Sequence, residues 1–142
     1  MAQLKKGWVD FERLAAMPEA YVAELCRIDL ADIMGTLEMH SALYAYASAT
    51  HEMAKVAEVQ AKAEMEKVKA QTFLDLAARD PSLPVNRLER TVEVDPAYQT
   101  LVSRYHAALR QAGILKALVG GLDHRRDMLI QIASRQRREL DA

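Results

Sequence analysis

The sequence predicts an all-α protein built on two long helices. Three observations support this: only five glycines and four prolines among 142 residues, an abundance of Ala, Leu, Met, Glu and Lys, and apolar residues that recur every three or four positions. The prolines fall between the periodic segments or at their starts, where helices tolerate them. We expect the two long helices to form an antiparallel hairpin, preceded by short N-terminal helices.

The first 27 residues are expected to form a helical appendage. Pro18 separates two short amphipathic pieces, and Trp8 and Phe11 share a face of the first. Trp8 has two interpretations, a hydrophobic anchor beside Phe11 or a platform for a nucleic-acid base, and the anchor is favoured. The anchor would rest on the protein's own body or on a neighbouring subunit. Residues 28–142 are then expected to form a helical hairpin domain for oligomerisation and DNA binding.

The first long helix is expected to begin at Asp29 or Asp32 and to end at Ala78, with no proline inside. Such a helix would be about 75 Å long, so in a chain of this size it needs a second long helix to pack against. Its middle interleaves glutamates with lysines: Glu52, Glu58, Glu64 and Glu66 with Lys55, Lys62, Lys67 and Lys69. This pattern indicates either a solvated face of ion pairs or a stripe that contacts phosphates.

The connection between the long helices is predicted over residues 79–95. Asp80-Pro81 stops the first long helix, and residues 87–90 are expected to form a short turn of helix. Residues 91–95 alternate polar and apolar side chains and are expected to be extended at most. The second long helix then opens at Asp95-Pro96, because Asp caps free backbone N–H groups and Pro suits the first helical position.

The second long helix carries an apolar seam with spacings of three and four, which is typical of left-handed coiled packing. We expect copies of the chain to associate through this seam, with Arg126 interrupting it, pairing with Asp123 and limiting assembly. Gly120-Gly121 predicts a bend or a close helix contact. The oligomerisation seam comprises Tyr98, Leu101, Tyr105, Leu115, Val119, Leu122 and Leu129.

Positive charge is concentrated in the same helix. Residues 99–138 carry a net charge of +6, whereas residues 1–98 carry −5, although the whole chain is nearly neutral at −1. A basic segment in a neutral protein favours local contact with a polyanion, and the alternative is a solvated coiled-coil face. For Arg135, Arg137 and Arg138, binding DNA and complementing the helix C-terminus are equally compatible with the pattern.

The sequence offers no signature of catalysis, so we expect no enzyme, cofactor or metal site. It lacks a glycine-rich phosphate loop, and its four histidines are too widely spaced to share a metal. The single cysteine, Cys26, excludes an intramolecular disulfide framework and fits a reducing cytoplasm. No apolar run approaches the ~18 residues of a membrane span, and the N-terminus lacks the apolar core of a signal peptide.

Over residues 28–135 the order and spacing of several elements resemble the UvsY-like recombination mediators of bacteriophages. A long helix opens with Ile28-Asp29, carries Leu43-Tyr44 and continues into a Lys/Glu-rich middle. A polar connection then precedes Asp95, which opens the second helix. That helix ends in Leu122-Asp123-His124-Arg125-Arg126, followed by Met128-Leu129-Ile130.

The resemblance implies a ring-like or barrel-like homo-oligomer that binds single-stranded DNA and contacts a phage recombinase and single-strand-binding protein. Such mediators help the recombinase load onto DNA covered by the binding protein, in the host-cell cytoplasm. The family's basic pair late in the long helix aligns with Ala70 and Thr72, so the charge is expected to shift to Lys67 and Lys69 or to Arg79.

The residues expected to contact nucleic acid combine this implication with the basic segments. They are Lys62, Lys67, Lys69, Arg79, Arg125, Arg126 and Arg135. The alternative function is that of a helical structural or assembly protein, such as a phage scaffold or a chaperone for a virion component, without DNA binding. DNA binding itself discriminates the two.

Overall fold

The computed structural model describes residues 9–142, except for the side chain of Phe11. Within these residues there are α-helices and no strands, so the all-α prediction is confirmed. The expectation for Trp8 lies outside the described residues. The helices are α1 (Phe11–Ala16), α2 (Pro18–Leu25), α3 (Ile33–Arg79), α4 (Val85–Glu93) and α5 (Pro96–Asp141).

The two short helices separated by Pro18 form as predicted. The Asp10 side chain caps α1 by accepting a hydrogen bond from the Arg13 N–H at 3.0 Å, and Pro18 occupies the start of α2. The Tyr21 hydroxyl accepts a bond from the Asp10 N–H at 2.8 Å, and the Arg13 guanidinium lies 4.7 Å from the centre of the Tyr21 ring. Arg13 also pairs with Glu24, so α1 and α2 are joined by polar contacts.

Helix α3 spans 47 residues and agrees closely with the predicted first long helix. The Asp32 carboxylate accepts a hydrogen bond from the Gly35 N–H at 2.9 Å, which caps the helix start. A Cβ at position 35 would lie within 3 Å of that carboxylate, which would have to shift from its present position. The helix ends at Arg79, immediately before Asp80-Pro81.

Helix α4 corrects the prediction for the connection. It runs as far as Glu93, so residues 91–93 are helical rather than extended. Leu88 and Val92 are four positions apart and both are buried, which places them on one face of a helix. The alternation of polar and apolar residues after Thr91 is typical of an extended chain, but the four-residue spacing of Leu88 and Val92 predicts the helix that is observed.

Helix α5 spans 46 residues and opens at the predicted signal. The Asp95 carboxylate accepts a hydrogen bond from the Tyr98 N–H at 3.1 Å. Of the two expectations for the paired glycines, the structure shows the close contact. A Cβ at Gly121 would lie 2.7 Å from the Cys26 Sγ atom, whereas one at Gly120 would meet nothing within 4 Å.

The chain divides into two compact units. The α1–α2 unit contains residues 9–53 and 113–142, and the α4 unit contains residues 54–112. Both long helices therefore contribute to each unit. The expected boundary after residue 27 does not coincide with this division, because α1 and α2 belong to the same unit as the beginning of α3 and the end of α5.

The core of the α1–α2 unit corrects the role expected for much of the seam. Leu115, Leu122 and Leu129 are at most 1% exposed within a single chain, so they already pack inside their own unit and offer no surface to another copy. Spacing predicts a helix contact but does not say which chain supplies the partner. The rest of the seam is buried or half-buried within the single chain: Leu101, Val119, Tyr98 and Tyr105.

The residue that interrupts the buried stripe is also different from the one expected. Leu118, Leu122, Arg125 and Leu129 are all buried and succeed one another at spacings of four, three and four. Arg126 is exposed beside this stripe. Arg125 rather than Arg126 therefore takes the polar position in the core.

Candidate nucleic-acid interface

Four of the expected DNA contacts are exposed along the second half of α3, in the α4 unit: Lys62, Lys67, Lys69 and Arg79. Lys62 and Lys69 are seven positions apart and lie on one stripe. At 100° per residue, Lys67 is rotated about 140° and Arg79 about 100° from that stripe. The structure therefore distributes these cations around the second half of the helix rather than on one face.

These four cations are available to a solvent anion. Within residues 9–142, none of them forms a hydrogen bond or an ion pair. The neighbouring glutamates are Glu58, which is half-buried, and Glu64 and Glu66, which are exposed. Because all these charges are in water, their attraction for an anion is modest and is screened by salt.

Two of the expected contacts on α5, Arg126 and Arg135, are exposed and belong to the α1–α2 unit. Arg126 pairs with Asp123 at 3.6 Å, as predicted, and also with Asp127 at 3.3 Å. Arg135 is exposed, and so is every residue of α5 after Ala133. Arg126 is therefore partly neutralised, whereas Arg135 remains open to solvent.

Arg125 does not belong with these exposed cations. It is only 8% exposed, and its Nη1 atom donates a hydrogen bond to the Leu25 carbonyl at 2.8 Å, at the end of α2. A cation is favourable at that end because the last carbonyls of a helix carry partial negative charge. Burial lowers the pKa of the guanidinium, and its Nε atom has no partner within the described residues. The expected contact between Arg125 and DNA is therefore corrected to a structural role.

His40 and Cys26 lie close enough to Arg125 to respond to its charge. His40 is 5% exposed and stacks on Tyr44, with ring centres 6.1 Å apart. Burial lowers the pKa of His40, the charges of Arg125 and Arg126 lower it further, and Asp123 opposes them. Burial raises the pKa of the Cys26 thiol, and Arg125 opposes that effect. The cluster therefore favours a neutral imidazole and a protonated thiol beside a cation, which is not an activated nucleophile.

A cleft of about 450 Å³ opens beside Arg125. Its lining alternates acidic and basic side chains with a few apolar ones, so it has no single sign of charge. Polar pockets of this kind do not select an anion by charge alone. The lining residues are Glu24, Leu25, Arg27, Asp29, Asp32, Gly35, Thr36, Met39 and Arg125.

Within residues 9–142, no group of three or more His, Cys, Asp or Glu side chains is arranged to hold a metal ion. No helix in that part of the chain is long and apolar enough to cross a membrane.

The burial of His40 and Arg125 could have been found in the sequence. His40 follows Thr36 and precedes Leu43 at spacings of four and three, and all three are buried. Arg125 occupies the equivalent position between two buried leucines on α5. Continuing each buried stripe through its polar residues is the signal that identifies them.

Comparison with known proteins supplies no relative. No protein-family model matches the chain, and neither a curated protein nor a solved structure does.

Proposed function

We propose that this protein is a non-enzymatic recombination mediator that binds single-stranded DNA. It would help a phage recombinase load onto DNA covered by single-strand-binding protein, in the host-cell cytoplasm. The observation that carries the proposal is the group of exposed, unpaired cations on the second half of α3: Lys62, Lys67, Lys69 and Arg79. The proposal includes an antiparallel arrangement of α3 and α5 and a ring-like homo-oligomer.

The chemistry of these side chains favours contact with the phosphate backbone rather than with bases. Lysine and arginine attract phosphates without reading sequence. In the α4 unit the aromatic side chains Phe73, Tyr98 and Tyr105 are all half-buried, so they offer little platform for stacking. The expected binding is therefore independent of sequence and sensitive to salt.

A homo-oligomer would compensate for the weakness of one subunit. Each copy presents few free cations, and Glu64 and Glu66 reduce their combined field. Repeating the same small patch around an assembly turns later contacts with one strand into intramolecular events, which raises affinity without new contacts. A strand held along a curved row of patches would favour one coating protein over another, which is how a mediator would assist exchange.

Titration of labelled poly-dT tests the proposal. We expect binding at about 50 mM salt that weakens strongly at about 200 mM, with a log–log slope near −0.7 for each phosphate contacted. Changing Lys62, Lys67 and Arg79 together to alanine should reduce that slope by roughly 2 if each contacts one phosphate. Lys116→Ala, an exposed lysine of the other unit, is the matched control and should bind normally.

Two results would end the proposal. One is an absence of binding at low salt, and the other is binding that ignores salt. If the triple variant binds as tightly as the wild type, with the same slope, the DNA interface does not lie on the second half of α3.

The second candidate is a helical structural or assembly protein that does not bind DNA. The observation that favours it is the near balance of charge in the α4 unit, which contains nine basic and eight acidic residues. Such a balance is also typical of a solvated helical scaffold. Stimulation of strand exchange by a phage recombinase separates the candidates, because only a mediator would produce it.

A further inference from the structure

The end of α5 has no buried face within its own chain. From Ser134 onward every described residue is exposed, including Leu140 at 87%. Arg137 and Leu140 are three positions apart and therefore share a face. A short helical stretch with no buried face is marginal in water, so a partner for this face would stabilise it.

The α4 unit offers a groove of matching character. It measures about 410 Å³, lies between α3 and α4, and has an apolar floor with charged side chains at its rim. Its two glutamates, Glu66 and Glu89, form no ion pair or hydrogen bond within the part of the chain described. The lining residues are Glu66, Lys69, Ala70, Phe73, Leu74, Glu89 and Val92.

We propose that the end of α5 from one copy of the chain docks into this groove of a second copy. Leu140 would cover the apolar floor beside Phe73 and Leu74, and Arg137 would meet Glu66 or Glu89. The argument is complementarity of charge and polarity: an exposed leucine next to an arginine faces an exposed apolar floor next to carboxylates.

This contact joins two different surfaces, so it is head-to-tail. Each copy uses its α5 end on one neighbour and its groove on the other, and such contacts close into a ring or continue as a filament. The inference therefore rests on the homo-oligomer of the proposed function and gives that oligomer a defined contact. It also assigns assembly to exposed residues, in place of the leucines that are buried within the chain.

Charge reversal tests the contact in the full-length protein. Arg137→Glu and Glu89→Arg change exposed residues, so both variants should fold with unchanged helix content by circular dichroism. Each should raise the concentration at half-association, measured by sedimentation, by roughly tenfold or more, because like charges then face each other. The double variant, and an equimolar mixture of the two single variants, should recover association because opposite charges face again.

Glu93→Arg is the matched control, since Glu93 is an exposed residue of α4 that does not line the groove. It should associate as the wild type does. A wild type that stays monomeric overturns the docking, and so do single variants that associate normally or a double variant no better than the singles.

DNA binding separates this inference from the proposed function. If the wild type associates and the variants behave as expected, but poly-dT is not bound at low salt, the docking contact stands and the mediator function falls. If poly-dT is bound with the expected dependence on salt while the charge reversals leave association unchanged, the mediator function stands and this contact falls.

Discussion

The two units of this chain use the same two long helices in different ways. In the α1–α2 unit, α5 contributes side chains that are almost fully removed from water, such as Leu118 and Leu122 at 0% exposure. In the α4 unit the α5 residues that face inward are mostly half-buried. The least exposed side chain of that unit, Val92, belongs to α4. One pair of helices therefore gives a deep core where α1 and α2 join it and a thinner core where the only additional helix is α4.

The difference extends to charge. The α1–α2 unit buries polar side chains, Arg125 and His40, inside its core. The α4 unit keeps Lys62, Lys67, Lys69 and Arg79 in water, where they do little for stability but remain available to a ligand. We therefore expect the first unit to contribute more to stability, and the proposed function assigns the binding of polyanions to the second.

The largest expected effect is on the free energy of unfolding when a core leucine is truncated. Leu122→Ala should lower it by about 2–5 kcal/mol, because the site is fully buried and leaves a cavity. Leu101→Ala in the α4 unit should cost less, nearer ~2 kcal/mol, because Leu101 is 9% exposed and its neighbours along the helix are half-exposed. Urea denaturation followed by circular dichroism measures both. Equal losses would remove the contrast between a deep and a thin core.

The close approach of α2 to α5 gives the second prediction. Gly121→Ala would place a Cβ 2.7 Å from the Cys26 Sγ atom, so it should destabilise the protein by about 1–3 kcal/mol. Gly120→Ala meets nothing within 4 Å and should instead stabilise the helix by up to about 1 kcal/mol. Thermal unfolding of the two variants measures the difference.

A rescue experiment identifies the cause. Replacing Cys26 with alanine removes the sulfur atom, so the loss caused by Gly121→Ala should be smaller in a Cys26→Ala background than in the wild type. If the loss is the same in both backgrounds, the contact with Cys26 is not what requires glycine at position 121.

Much of the fold follows from local features of the sequence. The starts of α3 and α5 lie at Asp caps, and Asp80-Pro81 ends α3, so boundaries set by capping and by proline were predictable. The length of α4 was underestimated because residues 91–95 are too few for their periodicity to distinguish a helix from an extended chain. The burial of Val92 together with Leu88 shows that the helix continues.

The candidate site was harder to predict than the fold. Charge alone placed Arg125 with Arg126 and Arg135, but the rotation of α5 turns Arg125 toward α2 and leaves the other two in water. Whether a leucine stripe packs within its own chain or against another copy depends on where the chain returns in space, which spacing does not encode. Exposure in the folded chain is what separates the two possibilities.

The smallest expected effect concerns pH and tests whether the α1–α2 unit holds its buried imidazole neutral. The pKa of His40 is lowered first by burial and then by the charges of Arg125 and Arg126. The unfolded chain, with an ordinary histidine pKa near 6.5, therefore binds a proton that the folded chain resists. Stability from this site is complete above that value and falls as pH decreases below it, by at most about 1.4 kcal/mol per pH unit.

His40→Leu removes the titrating group, so its free energy of unfolding should depend less on pH between about 6.5 and 5 than that of the wild type. His124→Gln alters an exposed histidine of the same unit and should keep the dependence of the wild type. Urea denaturation at several pH values measures the slopes. If the wild type and His40→Leu lose stability in parallel, the imidazole is not held neutral, and the contrast between a unit that buries its polar groups and one that exposes them loses its support at this residue.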